Sequence, residues 1–281
     1  MKVIVESGAT KSDWRLIADN GDEMARILAA GMNVSTMQMQ EIEATLRETG
    51  CKMQQTASEE ITSIHFYIAG VITEEIEVAL QAILKNIFKE ADVEIQNDLV
   101  AAARAVCGHK PGIAAILGTG SNSCQWDGTK IVKRVYTGGF ILGDEGSAAT
   151  LGKLFLADLL KGLVPKHIAD DFASRYDATY AGIVEKVYRS GSPSAYLGSF
   201  APFIMEYYDD PYIKSLVNGN IRDFFKRCIR QYDYIDCPVG IVGGLADAQK
   251  DIIASIAAEE GVRITVFLPC PIEGLKKYHT L

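Results

Sequence analysis

The stretch "AAILGTGSNSCQWDGTK", residues 114–130, decides how the rest of the chain is read. An apolar run ends in Gly118-Thr119-Gly120-Ser121, and a second stretch with strand character follows. A tight hairpin closes on two residues such as Asn-Gly or Asp-Gly. Four small, flexible or hydroxylated residues are more than the bend needs. "KVIVESGATKSDWRLIAD", residues 2–19, has the same form: an apolar strand, a small-residue turn, a second strand.

Working outward, "EMARILAAG" reads as a third strand. A helix around 36–49, strand "SIHFYIAG", helix "EEIEVALQAILKNIFKE", strand "DVEIQN" and helix "DLVAAARAVCG" follow. The order is β-β-β-α-β-α-β-α. After the Gly/Pro break "CGHKPG" the same syntax restarts with "IAAILG", "SNSCQWDG" and "KIVKRVYTGG". A helical stretch from about 145 to 232 intervenes before strand "PVGIVGG", helix "LADAQKDIIASIAAEE" and strand "VRITVF". The expectation is an α/β chain of two lobes, 1–108 and 109–281, each a mixed five-stranded sheet flanked by helices. Two such lobes facing each other leave a cleft, toward which the turns "SGATKS" and "GTGSNS" point. Clustered backbone N–H groups in such turns form an anion-binding nest, and glycine lets a phosphate approach closely.

Bulk composition narrows the partners. At 281 residues, 48% of them hydrophobic, the chain has material for two ordinary domains. Its net charge is −8 with no basic block, which disfavours nucleic acid and anionic membrane. Cys51, Cys107, Cys124, Cys228, Cys237 and Cys270 contain no C-x-x-C pair, and the four histidines have no metal-ligand spacing, so zinc is not expected. The N-terminus is too short in apolar residues for a signal-peptide core and no run approaches a membrane span. The expected compartment is the cytoplasm, with reduced thiols.

Several residue groups carry chemistry. In "VESGATKSD", Gly8 permits close approach, Thr10 and Ser12 offer hydroxyls, Lys11 offers a positive charge, and Glu6 at the strand end suits Mg²⁺ held through water. The plainer reading is an ordinary hairpin with small turn residues. Asp98 follows Asn97 where a strand meets a helix. Either residue can cap the helix, and Asp98 can also accept a proton from an attacking hydroxyl. In "TGGFILGDEGSAATLGK", Asp144 and Glu145 open a helix, which favours acids, and Gly143 and Gly146 on either side point to backbone crowded by a ligand. Gly243 and Gly244 let a flat group or a phosphate lie against a strand-to-helix turn.

Taken in order, "ESGATKSDW", "GMN", "NDLVAAARA", "ILGTGSNS", "GDEGSA" and "VGIVGG" resemble the N-acetylglucosamine kinase branch of the BadF/BadG/BcrA/BcrD-type ATPase family, within the actin, sugar kinase and Hsp70 superfamily. The resemblance spans nearly the whole chain. It implies two ribonuclease-H-like, actin-like ATPase lobes with a helical insertion in the second. ATP and Mg²⁺ would bind "SGATKS" as first phosphate motif, "GTGS" as second and "VGG" as adenosine motif, with Asp98 as base. It also implies that Asn33, Asp98, Thr119, Asn122, Gly139 and Asp144 contact an amino sugar, most simply N-acetylglucosamine phosphorylated at its 6-hydroxyl. Two departures stand out: Glu6 where many relatives have Asp, and Phe140 before "GDEGS" where many have Trp. An activator-type ATPase using Cys107 and Cys124 as iron–sulfur ligands, and a non-catalytic sugar or nucleotide sensor, are the alternative readings. The partner expected is a small-molecule amino sugar; a homodimer stays open.

Overall fold

The computed structural model of the chain describes residues 1–8, 11–70, 72–189 and 191–280. The first sheet contains β1 (Lys2–Ser7), β2 (Lys11–Ile17), β3 (Glu23–Ala30), β4 (Ser63–Ile68) and β5 (Asp92–Asn97), in the order β3-β2-β1-β4-β5. β1 pairs antiparallel with β2 and parallel with β4. The second contains β6 (Gly112–Leu117), β7 (Ser121–Trp126), β8 (Ile131–Val135), β9 (Val239–Val242) and β10 (Ile264–Leu268), in the order β10-β9-β6-β7-β8. β6 pairs antiparallel with β7 and parallel with β9. The two sheets thus repeat one topology, the expected pair of mixed five-stranded ribonuclease-H-like sheets.

Side-chain alternation explains the layers of the first unit. Val3 and Val5 of β1 join Trp14, Leu16, Ile64 and Phe66 in one core, beneath helices Met39–Thr56 and Glu74–Ile87. Ile4 joins Ile17, Tyr67 and Ala101 in a second core on the opposite face, beneath helix Asp98–Cys107. A central strand covered on both faces must be apolar along its length, and "VIV" is. The helix Glu74–Ile87 is capped by Thr73, whose hydroxyl accepts the Ile76 N–H. Glu74, Glu75 and Glu77 in its first turn and Lys85 in its last complement the helix dipole.

Contacts divide the chain into unit 1, Met1–Lys110 with Gly128–Lys130 and the segment from Cys270, and unit 2, Pro111–Asp127 with Ile131–Pro269. This departs from an unbroken 109–281 lobe. The sequence reading stops at strand "VRITVF", yet a helix, Ile272–Thr280, follows and packs in unit 1. Nine residues with few apolar positions do not hold a helix alone. Packing supplies the stability: Ile272 and Leu275 enter the Ile4–Tyr67 core, and a Cβ on Gly274 would lie 2.4 Å from the Ala105 carbonyl oxygen.

Between β8 and β9 lie helices Ala148–Leu160, Lys166–Arg175, Tyr180–Arg189, Pro193–Gly198, Ala201–Glu206 and Pro211–Arg227. They share one core with the second sheet, from Ile113 and Leu117 to Phe172 and Phe224. Phe172 is central to the inserted helices, its ring 5.2 Å from those of Phe200 and Phe203 and 5.3 Å from Phe155. Because Phe172 is fully buried, Phe172→Ala is expected to cost about 3–5 kcal/mol. The check is a lower urea midpoint at unchanged m-value; a loss below about 1 kcal/mol would mean that the inserted helices are a loose appendage.

Candidate functional site

In unit 1 the site begins with Glu6, which continues the face of Ile4 at the end of β1 and lies opposite Asp13 of β2. The helix starting at Asp98 covers that face. Asn97 is its cap, with Oδ1 accepting the Val100 N–H at 2.9 Å. Asp98 is left as the first helical residue, half-buried, where the helix dipole favours a carboxylate. The Glu6 carboxyl is pushed up to about 7, first by burial and then by the charges of Asp13 and Asp98, with Lys11 pulling the other way. Three carboxylates therefore share one field.

Asp13 was not singled out by the sequence reading. Burial works against its charge, but hydrogen bonds from Arg15 at 2.6 Å and Arg26 at 2.7 Å outweigh that and hold its carboxyl below the usual range. The signal available was Asp13-x-Arg15, an acid and a base two residues apart and hence on one strand face.

The remaining first-turn residues separate. The Gly8 N–H donates to the Lys11 carbonyl at 3.1 Å, and Lys11 is exposed. Thr10 lies outside the described residues. Ser12 is fully buried; its hydroxyl donates to the Ala30 carbonyl at 2.8 Å and accepts the Trp14 indole N–H at 3.2 Å. That hydroxyl serves strand packing, contrary to the expected phosphate contact. Ser7 Oγ accepts the Met32 N–H at 2.8 Å, tying "GMN" to the end of β1. Asn33 bridges to Ala69, and its Oδ1 accepts the Ser35 N–H at 2.9 Å.

In unit 2, Gly118-Thr119-Gly120-Ser121 joins β6 to β7. The carbonyls of Gly118 and Thr119 accept the N–H groups of Ala148 and Ala149, each at 3.0 Å, fixing the turn on the start of helix Ala148–Leu160. Gly243 has φ 136°, and a Cβ there would lie 2.1 Å from the Leu117 carbonyl oxygen, so only glycine allows this strand end against the turn. At Gly118 and Gly244 a Cβ would meet nothing within 4 Å. Both border a cavity of about 460 Å³ walled by Ala148, Ala201, Pro202, Met205 and Leu245. The inserted helices supply much of that wall, and no motif in the sequence marked Pro202 or Met205. Apolar residues at helical spacing read as core.

Asp144 is buried, with φ 55°, and its Oδ2 would lie 3.0 Å from a Cβ on Gly120. Burial raises its pKa; the Thr137 side chain and the Ser121 N–H work against that, Glu145 adds to it and Lys153 opposes it. Asp144 and Glu145 do not open a helix as expected. Ser147 is the cap of Ala148–Leu160, and Glu145 instead pairs with Arg227 at 2.9 Å. Gly143 and Gly146 are crowded by the chain itself: a Cβ would lie 1.7 Å from the Thr137 carbonyl oxygen at the first and 2.8 Å from Phe224 at the second. Gly139 is exposed on a short helix, Gly139–Leu142. Asn122 is half-buried, its Oδ1 accepting the Ser123 N–H at 3.0 Å. Cys124 is fully buried in β7, a poor position for a cluster ligand.

The chemistry of these groups fits nucleotide and cation. Ser121 Oγ is buried without a hydrogen-bond partner among the described residues, an orphan next to an open glycine cradle. A mostly apolar hollow with a few polar groups suits a purine and its phosphates. Crowded carboxylates are the donor set of a hard cation such as Mg²⁺, which would relieve the repulsion around Glu6.

No protein-family model matches this chain, and no curated protein does. Solved structures do. A candidate N-acetylglucosamine kinase from Porphyromonas gingivalis is 38% identical over 100% of this chain and 99% of its own, with a TM-score of 0.93. A candidate N-acetylglucosamine kinase from Chromobacterium violaceum is 18% identical over 99% and 98%, with a TM-score of 0.74. A ROK family glucokinase from Streptomyces griseus, crystallised with glucose and AMPPNP, is 14% identical over 99% and 97%, with a TM-score of 0.56. The last two bear on the fold alone.

Replacing an unpartnered buried hydroxyl removes a desolvation cost. Ser121→Ala is therefore expected to leave the thermal midpoint of the ligand-free protein unchanged or higher, and a clear drop in a calorimetric scan would show that the hydroxyl already has a partner.

Proposed function

Since the chain belongs to the N-acetylglucosamine kinase-like family of sugar kinases, we propose that it transfers the γ-phosphoryl group of MgATP to an amino sugar, N-acetylglucosamine, at its 6-hydroxyl. The observation that carries the reading is Asp98, the first residue of the helix that Asn97 caps, within the field of Glu6. The full-length likeness to the Porphyromonas gingivalis protein supports the choice of sugar.

MgATP supplies the phosphoryl group. Asp98 orients the acceptor hydroxyl and takes its proton as the new O–P bond forms and ADP leaves. Glu6 would hold the Mg²⁺ that neutralises phosphate charge, and Lys11 offsets charge on the phosphates. Gly118, Thr119, Gly120 and the Ser121 hydroxyl cradle the phosphates, while Gly243 and Gly244 carry the nucleoside against the 460 Å³ cavity. Asp144, held in its unusual backbone conformation, presents its carboxylate to sugar hydroxyls, with Asn33, Thr119, Asn122 and Gly139 as further contacts. Such a transfer depends on positioning and electrostatics, so each group acts by where it holds charge.

A coupled ADP-release assay with MgATP against N-acetylglucosamine, glucosamine, N-acetylmuramic acid, glucose and no sugar tests the reading. Turnover should depend on N-acetylglucosamine. Asp98→Asn should lower kcat by about 10²–10⁴-fold with a much smaller change in sugar KM. Near-normal kcat in that variant would remove Asp98 from the role, and sugar-independent hydrolysis would remove the kinase assignment.

A further inference from the structure

Helix Ile272–Thr280 ends in a cluster of titratable side chains that the chemistry above does not use. The His279 ring stacks on His65 of β4, centroids 3.7 Å apart and planes 24° from parallel. His279 Nε2 lies 2.7 Å from the Tyr67 hydroxyl. Arg104 donates to that same hydroxyl at 2.7 Å and to Glu94 of β5 at 2.6 Å, while His65 Nδ1 meets the other Glu94 oxygen at 2.8 Å. The Arg104 guanidinium also lies 4.9 Å from the Tyr278 ring, and the Lys2 ammonium donates to the His279 carbonyl at 2.6 Å. Arg104 belongs to the helix that begins at Asp98. The cluster therefore joins strands β1, β4 and β5 to the Asp98 helix and the C-terminal helix.

His65, Glu94 and His279 offer three ligand atoms within 4.8 Å of one another, a donor set that transition metals use. The stack argues against that use. Lone pairs lie in the imidazole planes, so those of two stacked rings run side by side and do not converge on one ion, and Arg104 occupies the second Glu94 oxygen.

The hydrogen bonds define a proton state instead. With Arg104 donating to the Tyr67 oxygen, the Tyr67 proton finds its acceptor in His279 Nε2 at 2.7 Å when the ring is neutral with Nε2 unprotonated. A second ring proton would take this acceptor from Tyr67 and place a cation beside Arg104 and Lys2. We propose that the C-terminal helix is an acid-released latch, docked along the Asp98–Cys107 helix while His279 is neutral and let go when His279 takes up a proton. This inference is independent of the kinase reading, because it concerns docking and not turnover.

The direction of the pH effect follows from linkage. Burial, with the charges of His65, Arg104 and Lys2, depresses His279 to about 3 from its ordinary value of 6.5, and Glu94 opposes them only in part. The released helix binds a proton that the docked helix refuses, so docking is complete above pH 6.5 and weakens below it. From pH 7.5 to 5.5 the docking equilibrium should weaken about tenfold.

Hydrogen exchange of the full chain, corrected for intrinsic rates, reads this directly. Protection of residues 272–280 is expected to fall about tenfold between pH 7.5 and 5.5, with helix Met39–Thr56 unchanged as internal reference. His279→Gln keeps an acceptor for Tyr67, and His279→Phe keeps the ring stack; neither should show the fall. Constant protection in the unaltered protein, or a fall that persists in both variants, overturns the latch. A rise in protection on adding Zn²⁺ at pH 7.5, lost in His279→Gln, would also overturn it in favour of a metal centre.

Discussion

The central strand of each sheet is covered on both faces, and this constraint organises what surrounds it. β1 and β6 must be apolar wherever helices lie over them, and both are. A polar residue is admissible only at the strand end, where cover gives way to a turn. Glu6 and the Gly118–Ser121 turn occupy those ends in their respective units. The period-2 alternation also decides which helix faces which residue: Val3 and Val5 commit one face to the large core, so Ile4 and Glu6 face the Asp98 helix.

Charge placement in unit 1 follows from that geometry. The charges of Asp13 and Asp98 both act on Glu6, yet Glu6 and Asp13 differ in how burial of their charge is met. Asp13 is held ionised by two guanidinium groups, and Arg15 also reaches Glu23 at 2.6 Å and Glu273 at 3.1 Å. Glu6 has only Lys11 as a lowering influence and rises to about 7. Among the described residues, Glu6 is thus the member of the trio with most to gain from a cation. In unit 2 the counterpart is a polar orphan among the described residues, Ser121 Oγ, in the turn that also holds Gly118, where a Cβ would meet nothing within 4 Å. Each unit carries a local imbalance of polarity that a ligand would correct.

Much of this was legible in the sequence because it rests on short-range patterns. Apolar runs, small-residue turns and amphipathic helices set the order β-β-β-α-β-α-β twice, and the two turns stood out since they held more glycine and hydroxyl than a hairpin needs. A cap at Asn97 or Asp98 was readable for the same reason. What was missed depends on distance in the chain. Ser12 lost its ligand role to Ala30 and Trp14, and Gly143 was crowded by Thr137, not by a ligand. Asp13 gained importance only once β1 and β2 were in register.

The C-terminal helix marks the boundary most clearly. Its sequence, "IEGLKKYHT", is short and mostly polar, and nothing local demands a helix there. Gly274 against Ala105 and His279 against His65 and Tyr67 decide it, across some 170 to 215 residues of chain. The sequence by itself determined the strands, their order and the two turns, because neighbouring residues share local sterics and solvent exposure. The tertiary structure alone decided which of the described polar groups are satisfied within the protein and which are not, because a hydrogen bond or a crowded glycine depends on partners that only folding brings near.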